Sequence, residues 1–274
     1  MMAQPSITLT SPAPGATVRG RTIPVTVAVH DFNFECSNVG KTNVPANEGH
    51  LHAMVDGMDM EHLVVGPGCS KSFSFSGRGL APGKHMLTIV LATDAHVMGS
   101  MPSSIPFTYE PSGSTALPGA MTGGKPSVQI VSPRNGATVG KKFNLVLAVN
   151  DFDLSCDLEG KKDVEGWGHL HVFVQQAGET SASAAAPMLA MMKTPEGMKM
   201  GQKLMQQTGM SMEQMKPMLT MGMASMVSMP CAKTLPIDLS TWHSGPARIM
   251  VQLAKNDHMP EMGASPAIVN VNLQ

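Results

Sequence analysis

Charge is scarce in this 274-residue chain, with Asp, Glu, Lys and Arg at 14% against roughly a quarter in an average soluble protein. The 19 basic and 20 acidic side chains leave a net charge of −1. There is thus no basic excess to follow a phosphate backbone, and no nucleic-acid partner is expected. Aromatic residues are 4%, with one Tyr and two Trp, so any core is thin. No apolar run approaches the roughly 18 residues of a membrane-spanning helix, and no membrane span is expected. Residues 1–11 lack the charged n-region and apolar core of a signal peptide; either the chain is intracellular or its targeting segment has been removed. Also missing are a nucleophile elbow, a phosphate loop, a dinucleotide fingerprint and a His-Glu-x-x-His helix. Asp94 and Asp257 are the only acids placed to serve a metal hydrolase. We therefore expect a protein that is not an enzyme. Two residue types are instead abundant, 26 Met and 10 His, and both are metal-ligand types.

The chain contains two copies of one module. Pro5-Ser6-Ile7-Thr8-Leu9-Thr10-Ser11-Pro12 is matched by Pro126-Ser127-Val128-Gln129-Ile130-Val131-Ser132-Pro133 at an offset of 121. Asp31-Phe32-Asn33-Phe34-Glu35-Cys36 answers Asp151-Phe152-Asp153-Leu154-Ser155-Cys156 at 120, and Gly49-His50-Leu51-His52 answers Gly168-His169-Leu170-His171 at 119. The offset then jumps to 162 for Cys69 with Cys231 and His96 with His258, so the second copy carries about 43 additional residues. This divides the chain into a first module (1–110), a Pro/Gly/Ser/Thr-rich linker expected to be flexible (111–125), and a second module (126–274) with an insertion at about 178–229. Strand candidates in the first copy are 7–10, 23–29, 51–55, 72–75, 86–91 and 105–109, separated by Ala13-Pro14-Gly15 and Ala81-Pro82-Gly83 turns. The expected fold is all-β: two tandem immunoglobulin-like or cupredoxin-like antiparallel sandwiches.

Each copy has two cysteines at matched positions, Cys36 with Cys69 and Cys156 with Cys231. One disulfide per module is one reading, and thiolate ligation of a soft metal is the other. With no Cys-x-x-Cys spacing and an even pair per module, we expect the disulfides. They imply an oxidising, periplasmic or extracellular compartment.

Three histidines recur in register: His50/His169, His52/His171 and His96/His258. Residues two apart on a strand share a face, so each His-x-His offers two imidazoles together, and a third from a later loop completes a site. Neutral imidazole suits copper, zinc, nickel and iron. The competing reading is that these histidines are satisfied polar groups that hold loops together.

Gly49-His50-Leu51-His52, followed by Pro82-Gly83-Lys84-His85-Met86-Leu87 and then Asp94-Ala95-His96, resembles a family of short secreted bacterial domains of unknown function. Its members carry a Gly-His-x-His strand, a Pro-Gly-Lys-His-x-Leu strand start and a later Asp-x-x-His-x-Pro loop. The resemblance covers most of each copy outside the insertion and implies a small β-sandwich in an exported protein. By position, the family's histidines fall on His50, His52, His85 and His96, and in the second copy on His169, His171 and His258, with Ala247 in the fourth place. Asp94 sits one place later than the family's acid and is answered by Asn256, while Met98 stands where Pro260 keeps the proline. Two His-x-Met pairs, His52-Ala53-Met54 and His96-Val97-Met98, are loosely similar to those of periplasmic copper carriers. Met54 and Met98 thereby join the candidate ligands, with packing of Met54 in the core as the alternative.

Fourteen methionines lie between Ala186 and Pro230. Thr194-Pro195-Glu196 and Ser211-Met212-Glu213-Gln214 read as helix starts, so a helical insertion is expected. Met212, Met215, Met218 and Met221, then Met223, Met226 and Met229, recur every three residues. They could form a Met-lined mini-core, a contact for an apolar partner such as another copy of the chain, or a thioether site for Cu(I) or Ag(I). The leading expectation is a copper-handling, non-catalytic exported protein. The alternative is a structural or adhesive repeat whose insertion makes an intersubunit contact.

Overall fold

The structure, a computed structural model, describes residues 4–121, 123–180, 225–261 and 263–274. The first copy comprises β1 (Ser6–Ser11), β2 (Thr17–Arg19), β3 (Thr22–His30), β4 (Asn33–Phe34), β5 (Glu48–Val55), β6 (Leu63–Gly68), β7 (Ser72–Ser76), β8 (Gly83–Thr93) and β9 (Ser103–Glu110). The second comprises β10 (Ser127–Ser132), β11 (Ala137–Val139), β12 (Lys142–Asn150), β13 (Asp153–Leu154), β14 (Trp167–Gln176), β15 (Met226–Ser228), β16 (Thr234–Asp238), β17 (Gly245–Lys255) and β18 (Ala267–Leu273). No α-helix occurs among the described residues.

Each copy is a sandwich of two sheets. In the first, β1-β3-β7 faces β2-β9-β8-β5-β4, with β6 also paired to β5. The second repeats this as β10-β12-β16 against β11-β18-β17-β14-β13, with β15 on β14. The opening strand is shared between the sheets: β1 pairs antiparallel with β3, and β2 crosses over to pair parallel with β9. Even the register shift recurs, at Leu9/Ser11 and at Ile130/Ser132. The fold is thus an all-β tandem sandwich of immunoglobulin-type topology, with parallel pairings at the sheet edges that the antiparallel expectation did not include.

Alternation builds each core. Ile23, Val25 and Val27 of β3 point inward against Leu51, Ala53 and Val55 of β5 and Leu87, Ile89 and Leu91 of β8. Leu145, Leu147 and Val149 do the same against Leu170, Val172, Val174, Ile249, Val251 and Leu253. A disulfide ties each copy, Cys36–Cys69 across 33 residues and Cys156–Cys231 across 75. With no free cysteine among the described residues, thiolate ligation by these residues is excluded.

On β5, β8, β14 and β17 the face away from the core is also covered, because the two copies pack against each other there. Met54, Leu63 and Val90 of the first copy join Phe173, Met226, Met229 and Met250 of the second in one buried apolar cluster. Around it, Lys41 pairs with Glu179 at 3.0 Å, and Trp242 Nε1 and Thr241 Oγ1 each donate to the Ser37 carbonyl at 3.0 Å. The linker is pinned as well, contrary to its composition. Gly79 donates to Thr115 O, Arg78 to Ala116 O, Met121 to Glu165 O and Trp167 Nε1 to Gly119 O.

Most of the expected helical insertion, with Met212, Met215, Met218, Met221 and Met223, lies outside the described residues. Its end does not. Met226 sits in β15, paired antiparallel with β14, and both Met226 and Met229 are buried between the copies. This corrects the three-residue reading at that end, where pairing to a sheet edge outweighs a methionine spacing.

Candidate metal centres

In each copy the sequence places three imidazoles at one point by the same local means. Gly49 and Gly168 precede the His-x-His pairs where β5 and β14 run hard against their neighbours. A Cβ on Gly49 would fall 2.1 Å from Ala92 O, and one on Gly168 2.0 Å from Ala254 O. Strand parity then turns His50 and His52, and His169 and His171, away from the core. The third histidine comes from the turn after β8 or β17. His96 and His258 adopt left-handed φ values of 57° and 63°, which non-glycine residues take only where surrounding structure holds them. Here the turn bonds His96 N–H to Thr93 O at 2.8 Å and His258 N–H to Lys255 O at 3.0 Å.

The result is one geometry built twice. Ring centroids are 4.8, 4.6 and 5.8 Å apart for His50–His52, His50–His96 and His52–His96. The corresponding values in the second copy are 4.9, 4.5 and 5.8 Å. One nitrogen from each ring lies within 4.8 Å of the others in both sets. Nε2 of His50 is 2.9 Å from Nε2 of His52, and the His169–His171 pair repeats this at 3.0 Å.

Electrostatics keep these rings neutral. Burial, then the neighbouring His96 ring, holds His52 down at about 3. Burial and His258 do the same to His171, also at about 3. His50 and His169 fall well below the ordinary value through burial and their histidine neighbours, and burial lowers His96 and His258. Neutral imidazole is the metal-binding form. The tautomer of the third ligand also follows from its bonds. His96 Nε2 donates to Met226 O at 2.8 Å, and His258 Nε2 donates to Leu63 O at 2.7 Å. Nδ1 of each therefore carries a lone pair, and among the described residues it is buried without a partner, as is Nδ1 of His50 and of His169. An acceptor buried in this way costs about 1–3 kcal/mol unless something occupies it.

The other candidate ligands lie elsewhere. His85 is engaged at both ring nitrogens, with Asp56 Oδ2 at 2.6 Å and Ala81 O at 2.8 Å, so it pins the start of β8 and belongs to neither three-histidine cluster. Met98 is 65% exposed. Met54 packs in the cluster between the copies, as do Met226 and Met229. Cys156, Glu159 and Cys231 also converge, but the disulfide removes both thiolates. Burial pushes Glu159 up to about 8. Its Oε1 lies 3.5 Å from Cys231 Sγ, a sulfur with no proton to give. Buried Asp94 is pushed up to about 7 by desolvation, then by Glu48 and Glu35.

The residue types did not reveal the backbone carbonyls of Leu63 and Met226, which orient the third ligands. One sequence signal was available, the repeated pairs Gly40-Lys41 and Gly160-Lys161, whose glycines pack against Ser225–Val227 and Leu63.

Neither a family model nor a curated protein matches the chain. Among solved structures it is similar to the fibronectin(III)-like modules of Clostridium thermocellum CbhA, at 10% identity over 98% of this chain and 94% of that one, with a TM-score of 0.26. The four N-terminal Ig domains of Dscam1 isoform 4.44 match at 8% identity, over 99% and 46% of the two chains, with a TM-score of 0.22. The PKD domain of human KIAA0319 matches at 9% over 44% and 89%, with a TM-score of 0.23. All three are β-domain proteins, and likeness at this level carries no statement about activity.

Proposed function

We propose that this chain is a non-catalytic, exported metal-binding protein that holds copper at two three-histidine centres. The observation that carries the reading is that His96 and His258 each bring a buried Nδ1, unpartnered among the described residues, to a cluster in which one nitrogen from each of three imidazoles lies within 4.8 Å of the others. A donor set with no carboxylate and no thiolate suits copper or zinc and disfavours magnesium, calcium and manganese. The two disulfides favour an oxidising compartment. The test is the metal content of purified protein, followed by titration of metal-free protein with copper and zinc. Two equivalents per chain, lost when the six histidines are replaced, are expected.

A second reading, a structural or adhesive two-module repeat, has its own support, since His96 and His258 also bond one copy to the other. Metal-free protein that takes up neither ion, with its two copies still docked, would favour that reading. A contact between chains through the insertion belongs to it as well, and would show as a change of oligomeric state on deleting residues 186–224.

A further inference from the structure

The contact between the copies repeats on itself. His96 of the first copy reaches Met226 O on β15 of the second, and His258 of the second reaches Leu63 O on β6 of the first. A glycine makes room beside each bond. Gly40, at φ 91°, faces β15, where a Cβ would fall 2.7 Å from Val227 Cγ1 and 3.2 Å from Ser225 O. Gly160, at φ 65°, faces β6, where a Cβ would fall 2.6 Å from Leu63 O. Gly40 N–H donates to Asp94 O and Gly160 N–H to Asn256 O, both at 2.8 Å and both two residues before the third histidine. One contact thus occurs twice with the copies' roles exchanged, as in the isologous interface of a two-fold dimer.

Two consequences follow for an ion. An imidazole ligates through the nitrogen that its other hydrogen bond leaves free, and here that other bond comes from the opposite copy. Neither donor set includes an anionic side chain. The cost of burying an ion rises with the square of its charge, so a dication is penalised about four times as heavily as a monocation.

We propose that the interface between the copies is a paired receptor for two Cu(I) ions, in which the Leu63 and Met226 carbonyls of each copy position the third ligand of the other copy's site. This rests on the metal-binding reading of the two histidine centres. Leu63 and Met226 are positioning residues, acting through His258 and His96.

The test is competition of full-length protein with a chromogenic Cu(I) chelator under argon, with Zn(II) measured in parallel. A quadruple variant with Ala at His50, His52, His169 and His171 serves as the control and subtracts any ion held elsewhere. We expect wild type to bind two more Cu(I) than the quadruple variant, held at least 100-fold tighter than Zn(II). His50→Ala/His52→Ala leaves the second site alone, and His169→Ala/His171→Ala the first. In these backgrounds Gly160→Ala should weaken the second site, and Gly40→Ala the first, by at least tenfold more than the unmatched pairing does. Equal or absent effects overturn the mutual positioning, and Zn(II) held as tightly as Cu(I) overturns the monovalent assignment. If wild type binds no more of either ion than the quadruple variant, the metal-binding reading itself fails. Should the glycine variants not fold, ¹⁵N NMR of the metal-free protein decides the positioning: Nε2-protonated rings at His96 and His258 support it, and Nδ1-protonated rings overturn it.

Discussion

The two histidine centres agree in ring spacing to within 0.1 Å yet differ in access. In the first, His52 and His96 are half-buried; in the second, all three rings are buried. Geometry is set by local sequence that both copies keep: a close-packed glycine, strand parity and a left-handed turn. Access is set by whatever surrounds each site, and the surroundings have diverged. Where the first copy has buried Val39, the second has buried Glu159, and where Lys41 pairs with Glu179, Lys161 is buried over the Phe75 ring with Nζ unpartnered among the described residues. Affinity is therefore expected to be alike at the two sites, and kinetics and local stability to differ.

The sharpest way to break that likeness is to remove one third ligand at a time. His96→Ala and His258→Ala should each reduce the bound copper from two equivalents to one and weaken the affected site by about 100-fold or more, read by chelator competition. Similar losses at both sites would support equivalence.

Next in size are the disulfides. Opening Cys36–Cys69 or Cys156–Cys231 by Cys→Ala pairs should cost about 2–4 kcal/mol in urea unfolding. The second closes 75 residues against 33, so loop entropy makes its loss the larger by about 0.7 kcal/mol.

Glu159 separates the copies by pH. Its folded value of about 8 lies above the ordinary carboxyl value of about 4.3 in an unfolded chain. Ionisation thus favours the unfolded state, and stability falls as pH rises from about 4.5 to 8. Glu159→Val, which installs the first copy's residue, should gain about 4 kcal/mol more over wild type at pH 9 than at pH 5, measured by urea midpoints. A pH-independent difference would contradict the buried, neutral carboxyl.

The smallest effect is kinetic. Copper transfer to a chelator should occur in two phases, with the half-buried first site on the order of tenfold faster, because the second opens only with local unfolding. His50→Ala/His52→Ala should remove the fast phase.

Much of this was legible in the sequence. The candidate strands at 7–10, 23–29, 51–55, 72–75, 86–91 and 105–109 all fall within β1, β3, β5, β7, β8 and β9, because half-buried alternation is a local pattern. The duplicated His50 and His52 share a face for the same reason, and the repeat itself singled out His96 as their third partner. β6 was missed, since its Gly66-Pro67 segment reads as a turn. The packing of copy on copy was also missed: strand parity says which residues share a face but not what covers it. His85 matched a family position yet spends both nitrogens on Asp56 and Ala81, a pairing set by tertiary contact. The orienting groups at Leu63 and Met226 are carbonyls, which every residue has, so the identities of those two residues could not reveal them.

X-ray absorption at the copper edge, on full-length protein loaded with two Cu(I), tests the central claim most directly. The account predicts a shell of three nitrogen scatterers at about 2.0 Å, with the outer-shell pattern of imidazole rings. A shell dominated by sulfur at about 2.3 Å would place the copper on the methionines and contradict the histidine centres.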